Sequence, residues 1–173
     1  MLRDSLVECG AVKFGDFTLT SGKKSKYYVD IKQASTSPRL LGEIARLMVQ
    51  RMDGEDRIAG VELGAVPIAA AVSLASDTPF LIVRKGERKH GTGRMVEGGF
   101  SEGQRVFMVE DVVTTAGSSI AGVEALREAG LVVERVIVVV DRQEGGAEAL
   151  AALGVRLESL VTASELLDMG GVR

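Results

Sequence analysis

The chain has one cysteine, one histidine, three prolines and no tryptophan among its 173 residues. A lone cysteine excludes a disulfide scaffold and a cysteine-rich zinc module. Aromatic residues make up 4% and the apolar set 46%, so any core must be aliphatic. That apolar share is too high for a disordered chain. No apolar run approaches the ~20 residues of a membrane-spanning helix, and the first five residues lack a signal-peptide core. Charge of one sign is missing too. The 21 Lys and Arg against 24 Asp and Glu leave a net charge of −3, which argues against broad nucleic-acid binding. The composition fits one soluble domain spanning residues 1–173, expected in the cytoplasm, with no nucleic-acid or membrane partner. Glycine, by contrast, is in excess: 21 of 173 residues, against a usual ~7%. With so few prolines, this suggests tight turns near ligands rather than linkers.

No repeat or low-complexity linker divides the chain. Residues 2–9 predict a short amphipathic helix ending at Gly10, and residues 17–20 and 27–30 alternate like two strands joined by a turn. Ser37 and Pro38 open a helix, with Leu40, Leu41, Ile44, Leu47 and Met48 on one face. From Ile58 the rhythm changes. Strand-like runs at 58–63, 80–83, 106–109, 135–140 and 155–160 alternate with helical segments at 67–75, 119–129 and 144–153. Strands apolar on both faces and separated by helices predict an α/β fold with a central parallel sheet covered on both sides. Ligands of such sheets bind at the carboxyl ends of the strands.

The most informative segment lies there. An apolar run, Val106 to Val109, is followed by Glu110 and Asp111, then Val112, Val113, Thr114, Thr115, Ala116, Gly117 and Ser118. The start of a helix leaves backbone N–H groups unpaired and carries partial positive charge. A turn of small hydroxyl residues and glycine lets those groups close around a phosphate. Carboxylates cannot point at a phosphate, so Glu110 and Asp111 are expected to face sugar hydroxyls or a Mg²⁺ ion. A ribose 5-phosphate meets both demands. The segment resembles the phosphoribosyl pyrophosphate signature of type I phosphoribosyltransferases.

A second segment, residues 84–94, holds five of the 21 Lys and Arg and the only His. Residues 85–103 have almost no apolar content and predict a long loop without secondary structure, a flexible lid over an anionic substrate. Arg84, Lys85, His90 and Gly91 match the catalytic loop of orotate phosphoribosyltransferases. Arg88 stands where that pattern has Lys, with Lys89 beside it. Arginine keeps the charge but gives up no proton near neutral pH, so His90 or Lys89 are the better proton donors.

Residues 15–30 are similar to the N-terminal hood of the same family, and residues 60–69 to its pyrophosphate-binding loop. Thr20 and Gly64 stand where many members have Lys. Arg142, just past the strand at 135–140, could grip a planar carboxylate through both ends of its guanidinium. The resemblance implies a hood at about 1–36 and a lid at about 85–103. It implies transfer of a phosphoribosyl group from 5-phosphoribosyl 1-diphosphate to orotate. Thr114 and Arg142 would bind orotate. Arg84, Lys85, Arg88, Lys89 and His90 would act on the pyrophosphate, and residues 110–118 would hold the ribose phosphate. Mg²⁺ would be held mainly through substrate, near Glu110 and Asp111. A homodimer with the lid shared across the interface is also implied. A purine phosphoribosyltransferase and a non-catalytic regulator sensing phosphoribosyl pyrophosphate are the alternatives. No helix-turn-helix supports the second.

Overall fold

The computed structural model describes residues 1–18, 22, 24–86 and 94–169. In chain order it contains α1 (Leu2–Glu8), the hairpin β1 (Val12–Thr18) and β2 (Lys24–Val29), the single turn α2 (Lys32–Ser35), α3 (Pro38–Val49), β3 (Arg57–Val61), α4 (Val66–Ser76), β4 (Phe80–Val83), β5 (Val96–Glu97), β6 (Val106–Val113), α5 (Gly117–Glu128), β7 (Arg135–Asp141), α6 (Gly146–Ala151), β8 (Arg156–Thr162) and α7 (Ala163–Met169). The main sheet has strand order β5-β4-β3-β6-β7-β8. All neighbours pair in parallel except β5, which runs antiparallel to β4. The expected parallel α/β sheet is therefore present.

Alternation along β6 distributes its side chains to two clusters. Phe107 and Val109 join Leu2 and Leu6 of α1, Leu40, Ile44 and Met48 of α3, Ile68 and Val72 of α4, and Leu166 of α7. Val106 and Met108 join Val123 and Leu126 of α5 and Leu150 of α6 on the other face. The nearly aliphatic composition fills both layers, and Phe107, in the first of them, is the one aromatic fully buried among the described residues. Gly122 lets α5 lie close to the sheet, since a Cβ there would sit 2.8 Å from both Met108 Cε and Val61 Cγ2.

Several elements differ from expectation for local reasons. β1 begins at Val12, earlier than the expected 17–20. Its alternation is interrupted by an irregularity between Phe14 and Phe17, at Gly15 and Asp16, which hides the first half. Ser37 occupies the N-cap of α3 without a side-chain bond, and Pro38 supplies the start. The segment expected to be a bare lid is anchored at its far end. Val96 is buried in β5, and Met95 and Phe100 pack on the second cluster. β6 continues four residues beyond expectation because β7 pairs with it as far as Val113↔Asp141. The acidic pair thus lies inside a strand rather than after it. α7 was not anticipated. Its start is a capping box, in which Glu165 accepts from Thr162 N–H at 2.7 Å while Glu165 N–H donates to Thr162 Oγ1 at 3.3 Å.

At the amino ends of the strands, Arg135 lies over the Phe107 ring and donates from Nε to Glu55 Oε1 at 2.9 Å, with Glu158 at 3.5 Å. Burial alone would raise the Glu55 carboxyl, but bonds from Arg135 and from Asp53 N–H outweigh it and hold it below the usual range. A group shifted in this direction stabilises the fold above the unfolded carboxylate range and loses that contribution as the pH falls through its folded value. Glu55→Ala leaves Arg135 without its main partner. It is expected to lower the unfolding free energy in urea titrations by about 3 kcal/mol at neutral pH, with the difference closing below about pH 4.

Candidate functional site

From β3 the chain moves through α4 to β4 on one side, and from β6 through α5 to β7 on the other. The direction of winding reverses between β3 and β6. Such a reversal opens a crevice at the carboxyl ends of the two strands. The sequence candidates converge on it: residues 62–65 after β3, Arg84 and Lys85 after β4, residues 114–118 after β6, and Arg142 after β7.

Successive strand residues point to opposite faces, and the acidic pair is divided accordingly. Glu110 turns toward α5, where Ser119 Oγ donates to its Oε1 at 3.1 Å. Glu110 is only 3% exposed. Burial is the main reason its carboxyl is pushed up to about 7. The Asp111 charge adds to the rise, while the Ser119 bond and the Lys85 charge oppose it. Asp111 is half-buried and lies against the 62–65 loop, its Oδ1 accepting from Val112 N–H at 2.9 Å. A Cβ on Gly64 would come within 2.6 Å of Asp111 Cγ, so only glycine fits there without moving the carboxylate.

Beyond Val113 the chain turns sharply. Ala116 is buried in the left-handed region (φ 64), and α5 begins at Gly117 with no side-chain cap. Thr115, Gly117 and Ser118 are exposed. The first amide donors of a 12-residue helix therefore open toward the crevice, with two hydroxyl residues beside them. Gly146 supports the turn from beneath, where a Cβ would meet Thr114 O at 2.6 Å.

The root of the basic segment is fixed. Arg84 N–H donates to Met95 O at 2.9 Å and Lys85 N–H to Glu62 Oε1 at 2.6 Å, while Arg84 Nη2 lies 3.9 Å from Glu62 Oε2. Arg88, Lys89, His90, Gly91 and Gly93, like Thr20 of the hood, lie outside the described residues.

Arg142 is the most enclosed cation of the site, its side chain 9% exposed. Its N–H donates to Val113 O at 2.9 Å, its guanidinium lies 4.9 Å above the Tyr27 ring, and Nε is 2.9 Å from Glu144 Oε1. Tyr27 comes from β2, so the hairpin reaches the site through this contact. Arg142 pairs with Glu144, not with Asp141, whose Oδ1 accepts from Gln143 N–H instead.

Glu62, Ser119, Tyr27 and Glu144 were not singled out from sequence. Ser119 could have been: it is the polar member of the buried stripe Ser119, Gly122, Val123 and Leu126. Glu62 carries no pattern that would mark it. Among the described residues no group of three or more His, Cys, Asp and Glu is arranged to hold a metal.

The phosphoribosyl transferase domain model matches residues 30–155. The chain is 49% identical over 171 residues to the orotate phosphoribosyltransferase of Pyrococcus furiosus, covering 96% of this chain and 94% of the relative. The crystal structure of orotate phosphoribosyltransferase from Aeropyrum pernix superposes with a TM-score of 0.90 at 36% identity, covering 99% of this chain and 98% of the other. That of Mycobacterium tuberculosis H37Rv orotate phosphoribosyltransferase in complex with 5-phospho-alpha-D-ribosyl 1-diphosphate gives a TM-score of 0.79 at 33% identity, covering 96% and 99%.

The Glu110 environment has a consequence for stability. An unfolded glutamate loses its proton near ~4.3, whereas the folded one keeps it to about 7. In that window the folded chain binds the extra proton, so stability falls as pH rises and levels off above it. Glu110→Gln is expected to unfold with ~1–3 kcal/mol more stability than the parent at about pH 8 and to match it at about pH 4.5 in urea titrations of the ligand-free protein.

Proposed function

The chain belongs to the orotate phosphoribosyltransferase family of type I phosphoribosyltransferases, and from that premise we propose that it joins orotate to 5-phosphoribosyl 1-diphosphate, giving orotidine 5′-phosphate and diphosphate in pyrimidine nucleotide synthesis. The observation that carries this reading is the convergence of three features at one crevice: an uncapped helix start after β6, an aspartate pressed against a glycine loop after β3, and a nearly buried arginine after β7. They offer, in turn, donors for a phosphate, an acceptor for sugar hydroxyls, and a fork for a carboxylate.

In this reading Thr114, Thr115, Ala116, Gly117 and Ser118 hold the 5-phosphate, with Val112 and Val113 leading into the turn. Asp111 fixes the ribose, and Glu110 supports it from the opposite face through Ser119. Arg142 and Thr114 orient orotate so that its ring nitrogen faces the anomeric carbon. As the C1–O bond breaks, positive charge grows on the ribosyl ring and negative charge on the departing diphosphate. Arg84 and Lys85, joined by Arg88, Lys89 and His90, stabilise the latter. Orotate is acidic enough to need no strong base, so positioning and electrostatics supply most of the acceleration.

The donor set also suits Mg²⁺. A hard cation that keeps several waters and substrate oxygens needs only one or two protein carboxylates; the half-buried Asp111 would supply one, whereas Glu110, buried on the other face against Ser119, does not reach the crevice. An ion held beside Asp111 would supply positive charge to offset that of the diphosphate.

A cytoplasmic homodimer is part of the proposal. No helix among the described residues is long and apolar enough to cross a membrane. A lid whose central residues carry cations and glycines suits a loan to the partner's site. Neither the purine-transferase nor the regulator alternative is favoured by any feature of the site.

With phosphoribosyl pyrophosphate and Mg²⁺, orotate absorbance is expected to fall, while hypoxanthine, guanine and adenine go unconsumed. A folded preparation that binds phosphoribosyl pyrophosphate but leaves orotate untouched would overturn the assignment. Mixing a Lys89→Ala/His90→Ala chain with an Asp111→Ala chain is expected to restore about a quarter of parental activity by forming dimers with one intact site. No recovery in verified mixed dimers would remove the shared lid.

A further inference from the structure

Arg142 is restrained from three directions. Its backbone is tied to the end of β6, its guanidinium face lies on Tyr27 of the hood, and its Nε is paired with Glu144 two residues on. Nε is sealed from solvent, and its N–H does not point along the line to Glu144, so the contact is an ion pair without a directed hydrogen bond. Among the described residues neither Nη1 nor Nη2 donates a hydrogen bond. Neither is a sealed atom without a partner. The Nη1–Nη2 edge is thus claimed by no described residue, while the guanidinium face and Nε are engaged by Tyr27 and Glu144.

Glu144 can take this place because of the local backbone. Gly145, at φ 95, ends the loop and α6 starts only at Gly146, which leaves Glu144 outside the helix and directed back toward β7. A helix from 144 onward would have carried the carboxylate away.

We propose that Glu144, with the Tyr27 ring, is a positioning residue that fixes the Arg142 guanidinium with its Nη1–Nη2 edge toward the base, and that this fixed edge selects a pyrimidine bearing a coplanar carboxylate. The proposal rests on the assignment of Arg142 to orotate. An arginine free to rotate loses rotamer entropy on each binding event, whereas one already held does not. Glu144 also carries a negative charge and therefore opposes the orotate carboxylate at longer range. The proposal requires that orientation outweigh this repulsion.

The test uses the full-length enzyme and measures KM for orotate and for phosphoribosyl pyrophosphate separately, with calorimetric binding of orotate as an independent reading. Glu144→Ala is expected to raise the orotate KM and Kd about tenfold, the scale of one lost charged contact, while the phosphoribosyl pyrophosphate KM and kcat stay within about twofold. Glu144→Gln, which keeps the shape but removes the charge that makes the pair, is expected to behave like Glu144→Ala, and Tyr27→Phe to match the parent while Tyr27→Leu does not. Orotate KM unchanged or lowered in Glu144→Ala would overturn the proposal, as would equal rises for both substrates, which mark general disruption. Arg142→Ala separates the two levels. If it leaves the orotate KM unchanged, the base-site assignment falls. If it raises that KM and Glu144→Ala does not, only the positioning role falls.

Discussion

The site depends on one close approach, that of the Asp111 carboxylate to the backbone at Gly64. β6 extends past the end of β3, which carries the acidic pair beyond the last paired residue of its neighbour, Gly60↔Val109. The loop after β3 then folds over the exposed flank of β6. Because residue 64 has no side chain, the two segments meet carboxylate to backbone, and the loop after β3 lies beside the turn after β6. The wall of the crevice is thus made by main chain, which can approach a diphosphate more closely than side chains allow.

The rest of the architecture serves that contact. The reversal of winding sends α4 and α5 to opposite faces and keeps both from covering the crevice. Gly122 lets α5 settle on the sheet, and Gly146 lets α6 settle close beneath the phosphate turn. Charge is arranged to match. The chain as a whole is at −3, yet Arg84, Lys85 and Arg142 all lie at the carboxyl edge. The Glu55, Arg135 and Glu158 network occupies the amino edge. Stability and chemistry therefore draw on opposite ends of the same strands.

Much of this was legible in the sequence, and the exceptions have physical causes. The parallel sheet could be read because its strands are apolar on both faces, and the phosphate turn because small hydroxyl residues follow two acids. Strand lengths could not, since pairing with a neighbour sets them. β6 runs to Val113 only because β7 does, and this moved Glu110 from an expected sugar contact at a strand end into a buried position beside Ser119. β5 was hidden by its brevity amid glycines and charges, although Val96 and Phe100 supply its anchor. Tyr27, Glu62 and Glu144 act through partners distant in sequence or through a backbone bend, and no spacing rule marks them. The capping box Thr162-Ala163-Ser164-Glu165 is legible in the sequence and marks the start of α7.

If the contact between Asp111 and Gly64 organises the site, the smallest side chain at that position should damage ligand binding more than folding. The direct measurement is calorimetric titration of Gly64→Ala with phosphoribosyl pyrophosphate and Mg²⁺, alongside its thermal melt. The account predicts binding weakened about tenfold or more, with the melting temperature within about 5 °C of the parent. Parental affinity in Gly64→Ala would contradict it.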